Sequence, residues 1–329
     1  MLIPLADTGR STTRVGFGAS SIMGGMGRTE SLRTLEWAYD AGIRHFDVAP
    51  MYGFGAAEGC LGEFLARHAG ELTIATKFGI PPAANAGLMG LARSLARSVA
   101  RPVLKLVPAM KARAQAAAAA LAAAPAVRDL SPAAARLSLE NSLRALRVDR
   151  IDLFLLHDAT AAELRDESLL HFLQQARAQG QIGAFGIGTD PHYVAEIMRE
   201  APAYAAVVQT EWSVFDAEPA PGNFRISHRS LAHNYRRLLA AVQARADAAQ
   251  QWSAECNADL LAPDVLATLM MRAALHATRG GIVLFSSKNK DHICHNAQLA
   301  APGAQDAQAA ALYRVVQREL AAIPVEAAA

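Results

Sequence analysis

The fold class is decided by the stretch Ile151-Asp152-Leu153-Phe154-Leu155-Leu156-His157. It is almost continuously apolar and ends in a histidine, which is typical of a parallel strand buried on both faces with a polar group at its tip. Two other strand-like runs end in the same way, His45-Phe46-Asp47 and Thr73-Ile74-Ala75-Thr76-Lys77. In a parallel barrel the strand tips converge on one mouth, where active sites are found. With the Tyr52 phenol close by, the three tips bring together groups suited to proton transfer to a carbonyl.

Runs of this kind alternate with helical patterns along the chain. The predicted strands are residues 14–19, 45–48, 72–77, 151–157, 184–189, 207–211, 224–228 and 281–286. The predicted helices include residues 29–41, 57–67, 133–145, 164–179 and 191–200, and residues 234–278 are long enough for two helices with a break near 257–263. Gly42 and Gly180 suit helix C-termini, and Ser131-Pro132 suits a helix start. The alternation predicts an α/β protein, a single (β/α)8 TIM-barrel domain over residues 1–329.

A doubly wound dinucleotide-binding sheet is the alternative reading of alternating strands and helices. That fold needs a glycine-rich turn, G-x-G-x-x-G, after its first strand. The chain offers only Gly16-Phe17-Gly18, and Ser21 stands where the third glycine belongs. The sequence therefore favours the barrel.

A long segment, residues 83–131, interrupts the pattern after the third predicted strand. Its leucines, valines and methionine recur at helical spacing, and Arg93, Arg97, Arg101 and Lys105 form a basic row at i,i+4 spacing. We expect a helical insertion at the mouth of the barrel, broken by its prolines. Three roles are open for it: a packed excursion with a solvated basic face, a lid over the substrate, or a helix for a membrane surface or partner.

Composition and charge exclude several classes of protein. A net charge of +2 gives no reason to expect a nucleic-acid partner. No apolar run approaches the length of a membrane span, and the first twenty residues lack the apolar core of a signal peptide. The three cysteines are odd in number and widely separated, which argues against a disulfide framework. A cytoplasmic location is the simplest expectation.

Three motifs in order resemble those of the aldo-keto reductase family. Residues 41–53 read AGIRHFDVAPMYG and are followed by Glu58 and Leu61-Gly62; residues 75–78 read ATKF; and residues 138–146 read SLENSLRAL, leading into the run that ends at His157. The resemblance extends from Val15 to Asn296. It implies a TIM barrel that moves a hydride between a nicotinamide cofactor and a carbonyl or alcohol.

The resemblance implies catalytic roles for Asp47, Tyr52, Lys77 and His157. Tyr52 would be the general acid, although a phenol with a pKa of about 10 is a reluctant donor at neutral pH. Lys77 would lower that pKa, and Asp47 would hold Lys77 charged and in place. His157 would orient the carbonyl oxygen and share its developing negative charge. This chemistry requires no metal.

At the nicotinamide end the match is less complete. The family commonly has a Ser-Asn pair after its fifth strand, where this chain has Thr189 and Asp190, and Asp190 cannot donate as an amide does. Gln209 matches the family's carboxamide-binding glutamine. His228 stands where the family commonly has an aromatic residue that stacks on the nicotinamide.

At the adenosine end, residues 284–296 resemble the family's eighth-strand segment. Ser286, Ser287 and Lys288 would contact the adenosine-side phosphate, and Asn296 would contact the adenine. His292 stands where many members have an arginine that binds the 2′-phosphate. We expect NADP as the cofactor, and NAD is possible because that arginine is missing. A metal cluster of His292, Cys294 and His295 is disfavoured, because neighbouring helical positions do not converge on one ion.

The predicted function is the NAD(P)H-dependent reduction of an aldehyde or ketone to an alcohol. Two alternatives are open: an NAD(P)-dependent sugar or alcohol dehydrogenase working in the oxidative direction, and a non-catalytic cofactor-binding regulatory barrel. The expected partner is a small carbonyl or alcohol substrate. Met23, Met51, Phe54, Trp212 and residues of the insertion are candidates to line its pocket. The sequence predicts neither the substrate nor the oligomeric state.

Overall fold

The structure, a computed structural model, describes residues 2–68, 70–82, 128–303 and 305–320. The chain forms ten strands within these ranges: β1 Leu2–Pro4, β2 Ser11–Thr13, β3 Val15–Gly18, β4 His45–Asp47, β5 Thr73–Phe78, β6 Ile151–His157, β7 Ile182–Gly188, β8 Val207–Glu211, β9 Phe224–His228 and β10 Ile282–Phe285. Strands β3 to β10 close into a barrel in sequence order, with β10 pairing back to β3. All eight barrel pairs are parallel. The predicted (β/α)8 TIM barrel is confirmed, and the doubly wound sheet is excluded.

Ten α-helices accompany these strands within the described ranges: α1 Arg28–Asp40, α2 Ala57–Leu65, α3 Pro132–Leu146, α4 Glu167–Ala178, α5 Pro191–Glu200, α6 His233–Gln243, α7 Ala246–Cys256, α8 Pro263–Ala277, α9 Lys290–Gln298 and α10 Gln305–Glu319. Gly42 and Gly180 have left-handed φ angles of 93° and 77° at the ends of α1 and α4, as expected. Ser131 accepts a hydrogen bond from the Ala134 N–H at 3.2 Å and so caps α3. None of these helices is long and apolar enough to cross a membrane.

Two features differ from the prediction. Residues 234–278 hold three helices, α6, α7 and α8, rather than two, because a further break occurs at residues 244–245, between α6 and α7. The N-terminal hairpin of β1 and β2 also went unpredicted, since its strands have only three residues each. Leu5, which follows β1, is fully buried among Ala75, Leu153 and other side chains from inside the barrel. The hairpin thereby closes the barrel at the end opposite the strand tips.

The apolar core has two layers, because both faces of the barrel strands are buried. A small apolar cluster fills the barrel interior, and a much larger one lies between the strands and the helices. Every residue of β5 and β7 is buried, which explains why their sequences lack polar alternation. The predicted insertion, residues 83–131, lies outside the described residues except for 128–131. The assignment of residues 1–329 to a single domain stays a prediction.

Candidate active site

The tips of β4 and β5 form a buried ion pair. The Lys77 Nζ donates to Asp47 Oδ1 at 2.7 Å and to the Val48 carbonyl at 3.2 Å. Both side chains are about 95% buried, with 4% and 5% of their surface exposed. Burial alone would lower the pKa of Lys77, but Asp47 and Tyr52 raise it above its ordinary value. The ammonium is therefore held charged inside the barrel mouth.

Gln209, in β8, provides the second side-chain hydrogen bond to Asp47. Its Nε2 donates to Asp47 Oδ2 at 2.7 Å, so both carboxylate oxygens have partners. The Oε1 of Gln209 is buried and has no hydrogen-bond partner in the part of the chain that is described. A buried carbonyl oxygen without a partner is costly, and it marks a position where a ligand donor can bind.

Tyr52 stands beside this pair, in the single turn Tyr52–Gly55 that follows β4. The Lys77 Nζ lies 5.5 Å from the centre of the Tyr52 ring. Lys77 has the largest single influence on the phenol and lowers its pKa, but burial and Asp47 together outweigh it, so the pKa of Tyr52 is raised. Lys77 thus acts in the expected direction, although burial and Asp47, which the prediction did not include, leave the pKa above its ordinary value. The phenol keeps its proton.

His157 and His228 end β6 and β9 and face the same space. Burial, followed by the Lys77 charge, lowers the pKa of His157 to about 3 and that of His228 to about 4. Both imidazoles are thus neutral at neutral pH, and each has one N–H and one lone pair. The Nδ1 of His157 is buried without a partner among the described residues.

A cavity of about 1290 Å³ opens over these side chains. It is lined by all of the predicted site residues except Lys288, namely Asp47, Tyr52, Lys77, His157, Thr189, Asp190, Gln209, His228, Ser286, Ser287, His292 and Asn296. Residues more than 200 positions apart in the sequence therefore meet in one continuous space. The barrel brings together the four predicted catalytic residues and all of the predicted cofactor residues except Lys288.

The two residues after β7 differ in exposure. Thr189 is buried, and its hydroxyl donates to the Ala159 carbonyl at 2.9 Å. Asp190 is exposed at the N-cap position of α5 but makes no capping hydrogen bond with its side chain. The Thr189 proton is therefore committed to the protein, whereas the Asp190 carboxylate faces the cavity.

Residues 284–296, at the end of β10 and beyond it, face the loop that follows β3. The hydroxyls of Ser286 and Ser21 lie 3.1 Å apart. Lys288 does not line the cavity, and its ammonium lies so close to Gly25 that a Cβ at that glycine would collide with it. Asn289 caps α9 by accepting from the Asp291 and His292 N–H groups at 2.8 and 3.4 Å. His292 is exposed in the first turn of α9.

The histidines and cysteine of α9 do not assemble a metal site in the structure described. The His295 Nε2 is 2.8 Å from the Thr268 hydroxyl, Ile293 is buried, and Cys294 is half-buried. No group of three or more metal-ligating side chains converges among the described residues.

Several polar residues of the cavity wall were not predicted from the sequence, among them Asp158, Glu211, Arg229 and Ser230. Arg229 forms an ion pair with Glu211. The Ser230 hydroxyl is buried and has no partner in the described ranges. Asp158 and Arg229 have left-handed φ angles of 56° each. The sequence offered one signal for these four residues, which is their position. Each of them ends a barrel strand or follows one within two residues.

The apolar residues proposed for the substrate pocket do not line the cavity. Met23, Met51, Phe54 and Trp212 are all absent from its wall. Trp212 is buried, donates its indole N–H to the Ala217 carbonyl at 2.9 Å and packs against Tyr313 with the ring centres 5.8 Å apart.

The fold and this cluster agree with the comparison to known families. The model of the Aldo/keto reductase family matches residues 14–228, more than half of the chain. The chain therefore belongs to the aldo/keto reductase family. Members are oxidoreductases that use nicotinamide cofactors and act on small carbonyl or alcohol substrates.

Relatives of assigned activity are distant. The chain is 30% identical over 193 residues to D-threo-aldose 1-dehydrogenase of Pseudomonas sp, an alignment that covers 56% of this chain and 52% of that protein. It is 26% identical over 228 residues to pyridoxal 4-dehydrogenase of Microbacterium luteolum, covering 64% and 62% respectively. The chain thus spans less than two thirds of the length of these relatives.

Solved structures share the fold. Glycerol dehydrogenase from Gluconobacter oxydans superposes with a TM-score of 0.66 at 20% identity, covering 100% of this chain and 98% of that one. An aldo-keto reductase from Bacillus halodurans, in its holo form, gives 0.64 at 16% identity, covering 94% and 95%. At such low sequence identities, the similarity shows only that these proteins share the barrel fold.

Proposed function

We propose that this protein catalyses the NAD(P)H-dependent reduction of an aldehyde or ketone to an alcohol, with Tyr52 as the general acid. The observation that carries the proposal is the buried Lys77–Asp47 pair, 2.7 Å apart, beside Tyr52 at the base of a cavity of about 1290 Å³. Burying two charges is costly, so such a pair is typical of a site with a chemical task.

Tyr52 is suited to give a proton rather than to take one. Its raised pKa keeps the phenol protonated at neutral pH. Lys77 has the largest single influence on it and favours the phenolate, which is the form left after proton transfer. Asp47 holds Lys77 in place through one oxygen and is itself held by Gln209 through the other.

His157 orients the substrate in this proposal. As a neutral imidazole it can donate one hydrogen bond to the carbonyl oxygen, on which negative charge develops during reduction. When bound, the reduced nicotinamide supplies the hydride. Tyr52 then delivers the proton to the oxygen that His157 has positioned.

The residues present fit a nicotinamide cofactor. The unpartnered Oε1 of Gln209 is an acceptor for a carboxamide N–H₂, and the His228 ring stands at the cavity wall, where a flat ring can stack. Thr189 and Asp190 flank the same region, but only Asp190 has its side chain free for a ligand. It can accept from the carboxamide but cannot donate to it.

At the other end, Ser286, Ser287 and Asn296 are proposed to hold the adenosine side of the cofactor. NADP is the cofactor we propose, with NAD possible. The Lys288 ammonium lies next to Gly25 in the loop that follows β3, and we propose that it binds a cofactor phosphate there. His292 provides a weaker grip on a 2′-phosphate than an arginine fork does.

The oxidative direction is the second candidate, and the names of relatives support it. D-threo-aldose 1-dehydrogenase and pyridoxal 4-dehydrogenase are both named for oxidation. The same residues serve both directions, since Tyr52 can take back the proton it gives. We further propose a cytoplasmic location, which the three free thiols support.

Fluorescence titration with NADH, NADPH and their oxidised forms, followed by a panel of aldehydes, ketones and alcohols, tests the function. We expect submillimolar binding of a reduced cofactor and turnover of at least one carbonyl. Cofactor binding with no turnover in either direction would instead support the non-catalytic regulatory barrel. Absence of cofactor binding would contradict both.

A further inference from the structure

We propose that Arg128 is a positioning residue for His157: it holds the turn that follows β6, residues 158–163, and so fixes the imidazole at the cavity wall. This inference rests on the proposed function, in which His157 orients the substrate carbonyl. His157 is the last residue of β6, so the strand holds its backbone on one side only. On the other side stands Asp158, with a left-handed φ of 56°. A non-glycine residue keeps such a conformation only where surrounding contacts hold it.

Three contacts hold the beginning of this turn. The Asp158 N–H donates to the Gly188 carbonyl at 2.7 Å, and the Asp158 carbonyl accepts a hydrogen bond from the Arg128 guanidinium. The next carbonyl, that of Ala159, accepts from the Thr189 hydroxyl at 2.9 Å. Two of the three contacts thus come from the end of β7 and the residue after it. Arg128 ties the turn to a second part of the chain, the segment that precedes α3.

The same guanidinium also holds the far end of the turn. Its Nη2 donates to Glu163 Oε1 at 3.0 Å. The other oxygen of Glu163 accepts from the Thr160 N–H at 2.9 Å and from the Thr160 hydroxyl at 2.7 Å. Arg128 therefore bridges the two ends of the turn with its two terminal nitrogens, and its planar fork loses little conformational freedom for each hydrogen bond.

The exposure of this ion pair argues for positioning rather than for a role in holding the fold together. The side chains of Arg128 and Glu163 are each 33% exposed. Ion pairs that reach solvent to this degree contribute little to the free energy of unfolding. Loss of Arg128 should therefore release the turn without unfolding the barrel.

The chain next to Arg128 is fixed beside the ends of β5 and β6. The Asp129 N–H donates to the carbonyl of Gly79, the residue after β5, at 2.9 Å. A Cβ at Gly79 would lie 2.6 Å from the Leu130 side chain and 3.4 Å from the His157 carbonyl oxygen. Arg128 thus reaches the turn from a segment packed against the strand end that carries His157.

Nuclear magnetic resonance of ¹⁵N-labelled histidine tests the proposal without cofactor or turnover. We expect Arg128→Ala to shift and broaden the His157 ring signals, which are assigned by their loss in His157→Gln, because the imidazole is no longer held in one orientation. Arg128→Lys, which keeps the charge but not the fork, should show a smaller change. The signals of His45, buried at the first residue of β4, should stay as in the wild type.

Two results of this experiment would overturn the proposal. His157 signals that are unchanged in Arg128→Ala would show that the turn does not depend on Arg128. Equal changes at His157 and His45 would show a general loss of structure. Either result can be obtained whether or not the protein reduces a carbonyl, so a failure of this inference is distinguishable from a failure of the proposed function.

In the active enzyme, a double-mutant cycle measures whether Arg128 acts through His157. Arg128→Ala should lower kcat by about ten- to a hundredfold, the usual cost of misplacing a group at a reacting centre. Cofactor affinity should not change. In the His157→Gln background the same substitution should have little further effect, because the imidazole that it positions is absent. An equal loss of kcat in both backgrounds would contradict the proposal.

Arg165→Ala is the matched control. Arg165 lies two residues beyond the same turn, its side chain is 75% exposed, and it pairs with Glu200 at 3.6 Å. It does not line the cavity. The control should leave both kcat and the His157 signals unchanged. A loss of kcat as large as that in Arg128→Ala would show that removing any nearby guanidinium suffices, and would overturn the specific role of Arg128.

Discussion

At the scale of single residues, Asp47 connects the parts of the candidate site. One of its oxygens accepts from Lys77 and the other from Gln209, each at 2.7 Å. Gln209 is proposed to bind the cofactor and Lys77 to assist the acid. In this proposal Asp47 would couple cofactor binding to proton transfer. Loss of either partner would leave a buried charge or amide unsatisfied, which commonly costs several kcal/mol.

Replacement of Tyr52 by phenylalanine tests the acid. Tyr52→Phe removes one hydroxyl, so cofactor affinity should stay within about threefold while turnover falls by about 10²- to 10⁴-fold, the usual contribution of general acid catalysis. Steady-state rates and fluorescence titration measure the two effects. A folded variant with wild-type turnover would exclude Tyr52 as the acid.

Residues on α9 and just before it are proposed to decide the preference between NADPH and NADH. His292→Arg should shift the ratio of NADPH to NADH affinity upward by about tenfold, because a guanidinium makes charge-assisted contacts to phosphate. Lys288→Ala should shift the ratio downward. Parallel titrations of the three proteins with both reduced cofactors check this. If the wild type already prefers NADPH by more than about a thousandfold, or roughly 4 kcal/mol, another cation must bind the 2′-phosphate.

At the scale of secondary-structure elements, helices α2 and α3 pack closely, and the two glycines of α2 have different roles. A Cβ at Gly62 would collide with the backbone of Ala145 and Leu146, whereas a Cβ at Gly59 would meet nothing within 4 Å. Gly62 thus allows the close approach that places α2 behind β4 and β5. Gly59 is an exposed helical position.

The two glycines provide a matched pair of alanine substitutions. Gly62→Ala should lower the free energy of unfolding by about 1–3 kcal/mol, because the helices must separate to admit a methyl group. Gly59→Ala should leave stability unchanged or raise it by up to about 1 kcal/mol, because alanine favours the helix. Denaturant unfolding measures both. Equal effects would show that helix propensity, rather than packing, governs this face.

At the scale of the whole molecule, buried histidines make the stability depend on pH. Burial lowers the pKa of His45 and His228 to about 4 and that of His157 to about 3. Each is neutral in the folded protein but takes up a proton below about pH 6.5 when unfolded. The stability that these neutral histidines contribute is fully present above pH 6.5 and is lost as the pH falls toward 4. Burial raises the pKa values of Glu58 and Asp152. These two carboxyl groups oppose the loss of stability at acidic pH, because they take up protons more readily in the folded protein than in the unfolded chain.

We therefore expect the free energy of unfolding to fall between pH 7 and pH 5, by up to about 2 kcal/mol for each buried histidine. His45→Gln should reduce this slope, since glutamine does not titrate and can still hydrogen-bond Thr73, which the His45 Nδ1 contacts at 3.0 Å. His171→Gln, on the exposed face of α4, is the control. A slope unchanged by His45→Gln would show that His45 does not contribute to it.

The sequence by itself determined the barrel, the approximate ends of most elements and the polar residues that stand at the mouth ends of β4, β5 and β6. These follow from local patterns: apolar runs of strand length, glycines with φ angles of 93° and 77° after α1 and α4, and polar residues at or next to the tips of several strands. Family membership, likewise, was recognisable from short motifs. The roles of the individual site residues stay predictions.

Tertiary structure alone decided which side chains meet. The bond between Gln209 and Asp47 joins residues 162 positions apart, and it exists because closure of the barrel sets the two strand tips across one mouth. Burial and Asp47 outweigh the lowering of the Tyr52 pKa by Lys77, and the folding of the chain after β6 places Asp158 in the wall of the same cavity. No local pattern encodes these outcomes, because desolvation and long-range contact depend on how all the strands and helices pack around a residue.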